Sequence, residues 1–364
     1  MDAERPTPRA PTGLITHAHR GAGINPANRF LHTHHELDLD NSDLNPAEEP
    51  DPRTQFIEDH SQSALTSNDS PDVGFDWSVN PYRGCEHGCS YCYARPTHEY
   101  LGFNAGLDFE TKILVKHNAP ELLRRELSKS NWKPAQVNLS GVTDCYQPIE
   151  GTLRLTRRCL EVLAEFRNPT SIVTKNALVA RDTDLLAELA QHQAVAVFLS
   201  VTSLDPTLRT ILEPRASPPA ARIEAIRRLA QAGIPVGVLI GPVIPAINDH
   251  EIPQIIAAAV EAGATFASYN FLRLPGAVAP IFENWLTRHF PDRKEKVLGQ
   301  IRTFRDGALN SAEFRERMRG TGPVADRLSQ LFHMICRRHG IDGHWPKPSA
   351  AHFRRVEVGQ KELW

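Results

Sequence analysis

The stretch Asn80–Pro96 reads NPYRGCEHGCSYCYARP and places Cys85, Cys89 and Cys92 within eight residues. Three close thiolates can hold three irons of a [4Fe–4S] cube and leave the fourth iron without a protein ligand. An iron left in that state can accept an exogenous ligand. Other uses of the triplet fit less well. A zinc knot needs four nitrogen or sulfur ligands in paired units. His87 and His98 are at hand, but His87 falls between the first two cysteines and the remaining spacing is wrong. A ferredoxin-type electron carrier needs a fourth cysteine, usually followed by proline, and the next here is the distant Cys145. A disulfide is disfavoured because MDAERPTPRAP at the N-terminus is charged, proline-rich and lacks an apolar signal core. A reducing, cytoplasmic setting is therefore the expectation.

The rest of the chain supports an ordinary globular protein: 364 residues, 41% hydrophobic, 23% charged, with a net charge of −2. That charge gives no general attraction to nucleic acid. Apolar runs are broken by proline, glycine or charge before the roughly 18 residues a membrane span needs. Residues 1–66 are rich in Pro, Asp, Asn and His, show no sustained periodicity, and are expected to form an irregular extension. Inside it, HRGAGINPANRF (19–30) looks less random. The cluster LHTHHELD (31–38) could bind a metal, although such tail histidines are usually just solvated.

Residues 67–275 change character. Apolar runs GFDWSVN, QVNLSGVT, TSIVTKN, AVAVFLSVTS, PVGVLIGPVI and TFASYNFLRL alternate with segments whose apolar residues recur at three- and four-residue spacing. Two of these segments end in Ala-Gly, the expected C-cap. Continuous apolar strands alternating with helices mean a parallel sheet covered by helices. Six units give an α/β fold, a partial (β/α)6 TIM-like barrel, with the cysteine loop following the first strand. Parallel barrels carry their chemistry on the loops after the strands. Residues 276–364 are helical and strongly charged, a C-terminal helical cap and tail. Cys159 and Cys336 fall on apolar faces of helices and read as small buried hydrophobes.

The CxxxCxxC pattern with Tyr91 before its last cysteine resembles the signature of the radical S-adenosylmethionine superfamily. The resemblance implies a [4Fe–4S] cluster on Cys85, Cys89 and Cys92 with S-adenosylmethionine on the open iron. It also implies reductive cleavage to a 5′-deoxyadenosyl radical that abstracts hydrogen, with electrons from a flavodoxin or ferredoxin type donor. Such a cofactor needs a cation for its carboxylate, acceptors for its ammonium and partners for its ribose. Strand ends offer Thr143 and Asp144, Lys175, and Ser200 and Thr202, while Glu213 and Arg215 follow in LEPRASPP. Each has an ordinary alternative: Thr143 and Ser200 as helix caps, Glu213 and Arg215 as a surface pair.

The runs TD, TK, SVT and EPRASPPAARIEAIRRLAQAG, at and beyond successive strand ends, narrow the resemblance to the spore photoproduct lyase-like branch. It covers about 75–275. That branch repairs a thymine dimer in DNA, and it implies Thr143, Lys175 and Ser200 as cofactor contacts. It also implies Tyr91 and Tyr93 near adenine or as radical relays. The sequence is closest to an uncharacterised group within it, and it departs in one place. The hydrogen-donating cysteine of the lyase falls at Gly141, whereas the cysteine here, Cys145, comes just after Asp144. Cys145 is a candidate hydrogen donor, with a structural loop cysteine as the equal alternative. Side chains alternate along a strand, so only a turn at Asp144 would bring it to the site. Arginines at 315, 317, 319, 337, 338, 354 and 355 could meet phosphates, but interleaved acids favour a solvated face. The rival class is a non-catalytic electron relay or scaffold that keeps the cluster.

Overall fold

The computed structural model describes residues 19–31, 53–341 and 346–356. The histidine cluster at 31–38 lies outside them apart from Leu31. Among the described residues ten strands form: β1 Gln55–Glu58, β2 Leu65–Ser67, β3 Trp77–Val79, β4 Tyr82–Arg83, β5 Lys112–Val115, β6 Val137–Leu139, β7 Thr170–Thr174, β8 Val195–Ser200, β9 Val236–Val243 and β10 Phe266–Phe271.

The main sheet has the order β10-β9-β8-β7-β6-β3-β2, with β2 antiparallel at one edge and the other neighbours parallel. Its six parallel strands follow one another in space as in sequence, and the sheet does not close. The helices between them are Ala119–Ser128, Leu155–Phe166, Thr183–Gln191, Pro219–Gln231 and Ile252–Glu261. All six residues of β8 are buried, as helices on one face and the barrel interior on the other require. After the helices at 219–231 and 252–261, Gly233 and Gly263 adopt φ of +74° and +98°, conformations an L side chain would strain. The six apolar runs thus became the six strands of a partial barrel.

One region differs from the sequence reading. The stretch 1–66 contains β1 and β2, and β1 joins β5 and β4 in a small second sheet. These strands are short, and β1 is exposed at three of its four positions, so no apolar run marks it. The segment 19–31 packs against the cysteine loop, as detailed below. Beyond 275, helices Val278–His289, Lys294–Thr303, Glu316–Arg319 and Gly322–Arg338 cover the end of the sheet at β10. The Phe332 ring, tilted by 50°, lies 4.6 Å from that of Tyr269 in β10, and Trp285 Nε1 donates to Ile211 O at 2.8 Å. Among the described residues no helix is long and apolar enough to cross a membrane.

Candidate functional site

Three local devices shape the cysteine loop. The Gln147 amide bridges it, donating to Gly84 O at 3.1 Å and accepting from Glu86 N–H at 2.9 Å. Arg95, wholly buried, donates from Nε and Nη2 to Cys89 O at 3.1 and 2.8 Å and pairs with Glu110. Glu110 in turn accepts from Gly21 N–H at 3.1 Å and Ala22 N–H at 2.8 Å. The N-terminal segment is therefore a strap across the loop. It lies so close that a Cβ on Gly21 would stand 1.7 Å from Gly88 O.

The loop so held brings Cys85, Cys89 and Cys92 to one cavity of about 330 Å³, which opens at the carboxyl ends of the parallel strands. Tyr91, Thr143, Asp144, Lys175 and Ser200 line the same space, as do Tyr93 and His87. Burial pushes all three thiols up, aided by Asp144 near Cys85 and Glu213 near Cys89. Buried thiolates without a cation would be unfavourable, whereas bound iron would compensate them. No fourth cysteine is among the lining residues. Among the described residues no three His, Cys, Asp or Glu side chains close on a single ion. Three sulfurs that each hold a different iron of a cube are not required to. The donor set fits a cluster with one iron left open.

The strand-end residues fall into two layers. Lys175 Nζ donates to Ser200 Oγ at 2.6 Å and Gly241 O at 2.9 Å, and lies 5.8 Å from the centre of the Tyr91 ring. Asp144 accepts from Thr174 Oγ1 and Lys175 N–H, each at 2.7 Å, and faces His87 Nδ1 at 3.4 Å. Burial alone would raise its carboxyl, but the His87 ring and these donors outweigh it and hold it at about 2. Thr143 Oγ1 donates to Tyr82 O at 2.7 Å, so its hydroxyl proton is committed to the backbone.

Thr202 and Glu213 are not among the cavity-lining residues; they form the layer behind. The Glu213 carboxylate accepts from Tyr91 Oη, Thr202 Oγ1 and Arg222. Burial opposes its ionisation, yet the Arg222 and Lys175 charges and the two hydroxyls hold it at about 2. Glu213 thus positions Tyr91 rather than facing the cavity. Arg215 also lies outside, paired with Glu86 at 2.9 Å. Neither reading of Glu213 and Arg215, as cavity contacts or as each other's partner, describes them.

Cys145 is the main correction. Asp144 Oδ1 accepts from Tyr146 N–H at 2.9 Å, so the chain does turn there. The turn carries Cys145 away from the cavity lining, into full burial, with its carbonyl accepting from Thr156 Oγ1 at 2.6 Å. Gly141 lines the cavity and has no side chain to offer. Arg95, Glu110, Gln147 and Arg222 went unread in the sequence because hydrogen bonds made only in the folded chain define their roles. His87 carried one signal, its place inside the cysteine motif.

Residues 79–259 match the Radical SAM superfamily. An uncharacterised protein of Mycobacterium tuberculosis (strain H37Rv) is 38% identical over 286 residues, covering 78% of this chain and 81% of its own length. The chain belongs to the radical SAM superfamily. An uncharacterised protein of Methanocaldococcus jannaschii is 27% identical, covering 67% of this chain and 88% of its own. A solved spore photoproduct lyase variant shares the fold over 78% of each chain, with a TM-score of 0.52 at 15% identity. Another spore photoproduct lyase structure, with a TM-score of 0.50, holds a dinucleoside spore photoproduct.

Proposed function

We propose that the chain is a radical S-adenosylmethionine enzyme, with residues 67–275 as its catalytic barrel and 276–364 as a helical cap. A [4Fe–4S] cluster on Cys85, Cys89 and Cys92, with bound S-adenosylmethionine, would supply the 5′-deoxyadenosyl radical that takes hydrogen from the substrate. One observation carries this reading: the three cysteines share a cavity with Lys175, Asp144 and Ser200 at the strand ends.

The chain's own residues have distinct tasks. Lys175, fixed by Ser200 and Gly241 O, offers its charge to the methionyl carboxylate. Asp144, kept ionised, is the acceptor for the ammonium. Tyr91, held at its hydroxyl by Glu213, presents a ring edge or face to the adenine. Apolar walls from Val173, Leu239 and Phe271 exclude bulk water from the space around the substrate. Electrons come from a flavodoxin or ferredoxin type donor, and the enzyme works in the cytoplasm. A thymine-dimer substrate is not proposed, because Gly141 and the buried Cys145 leave the lyase's hydrogen donor without a counterpart.

The test is anaerobic reconstitution, reduction with dithionite and chromatography for 5′-deoxyadenosine. Its formation supports the reading. A full cluster that yields none overturns it in favour of an electron relay.

A further inference from the structure

Positive charge is left over at the mouth of the cavity. Arg273 directly follows Leu272 at the carboxyl end of β10 and lines the cavity, as does Arg319 from the helix Glu316–Arg319. Among the described residues neither forms an ion pair. The Arg273 guanidinium lies 5.5 Å from the Tyr93 ring centre, and its Nη1 meets Met318 Sδ at 3.5 Å. Its Nε is buried with no hydrogen-bond partner. Arg319 sits 4.7 Å over the ring of Tyr269, exposed to the opening. Behind them Arg305, only 3% exposed, donates Nη2 to Leu272 O at 2.8 Å but leaves Nε and Nη1 unpartnered.

The acids that line the cavity do not answer these cations. Asp72 is taken by Arg317 and by the Arg315 N–H. Asp144 is engaged on the floor by His87, Thr174 and the Lys175 N–H. Buried N–H groups without partners are rare and costly, and a charged one more so. A guanidinium's planar donors match a two-oxygen anion, and the surrounding apolar and aromatic walls strengthen that attraction. On the radical-enzyme reading, the cofactor's own carboxylate already has Lys175 on the floor.

We infer that the substrate carries a phosphate or carboxylate group, received by Arg273 and Arg319 at the cavity mouth. The inference rests on the radical-enzyme reading and names the substrate class for that same site. It places the anionic end of the substrate outward and leaves the hydrogen to be abstracted deeper, toward Cys92 and Lys175. Arg305 supports the site from behind by adding charge.

Calorimetric titration of the reconstituted full chain, saturated with S-adenosylmethionine, tests this with inorganic phosphate in one arm and succinate in the other. The expected result is saturable binding of at least one anion, weakened by added salt. The stronger arm identifies the source of the charge. Arg319→Gln and Arg273→Gln should each weaken binding roughly tenfold, as expected for losing one charged hydrogen-bond donor. Arg273→Lys should recover part of the loss. Arg319 is exposed, so its variant answers the question even where Arg273→Gln fails to fold. Absence of binding by the wild-type chain overturns the inference. So does equal binding by the glutamine variants. Wild-type protein that binds the anion yet forms no 5′-deoxyadenosine supports the anion site and overturns only the radical reading.

Discussion

Glu213 and Arg273 are both charged groups beside one cavity, and their surroundings differ in kind. Glu213 is fully buried yet accepts from Tyr91, Thr202 and Arg222, with Lys175 Nζ 3.8 Å away. Arg273 meets a thioether and an aromatic ring. A buried charge surrounded by donors is rigid, and the groups it holds are fixed before any ligand arrives. An under-satisfied cation has interactions still to make. The floor of this cavity is therefore set before any ligand arrives, whereas the mouth keeps hydrogen-bonding capacity for one.

The largest test of the floor is the cysteine set. Serine at Cys85, Cys89 or Cys92 should abolish 5′-deoxyadenosine formation and most visible absorption after reconstitution, because serine is a poor iron ligand. A variant retaining both would remove that cysteine from the cluster. Next comes the hidden support of the loop. Arg95→Ala leaves Glu110 charged and buried, and should cost about 3–5 kcal/mol in urea unfolding of the cluster-free chain. A much smaller loss would mean that the N-terminal strap holds the loop without Arg95. Lys175→Ala should weaken S-adenosylmethionine binding roughly tenfold, measured by equilibrium dialysis, with iron content unchanged. Unchanged affinity would assign the cofactor carboxylate to another cation on the lining, such as Arg273. The smallest effect on cofactor binding belongs to Arg215, which pairs with the buried Glu86 away from the cavity lining. Its alanine variant should bind S-adenosylmethionine like the wild type, and a marked drop would return Arg215 to the site.

The parts that were legible in the sequence share a local cause. The runs that became β3 and β6 to β10 are apolar because both faces of each strand are covered, and burial of that kind shows in any single run. The cysteine spacing is equally local. Thr143, Asp144, Lys175 and Ser200 were found by their place at strand ends, and all four line the cavity. The same argument misplaced Thr202 by one layer, since it fixes the end of a strand but not which way each side chain faces. Arg215 and Cys145 follow the strand ends in loops, which do not keep the strand's alternation, and neither lines the cavity.

By itself the sequence determined the alternating α/β architecture and the three-thiol motif, because hydrophobic periodicity and short-range spacing are properties of neighbouring residues. Only the tertiary structure decided that Gly21 and Ala22 strap the cysteine loop through Glu110, and that Arg222 rather than Arg215 holds Glu213. It also left Arg273 and Arg305 without acids. Those facts join residues from nine to nearly ninety positions apart, on different elements. A charge is matched or unmatched according to what the fold sets within a few ångströms of it, and no local pattern carries that information.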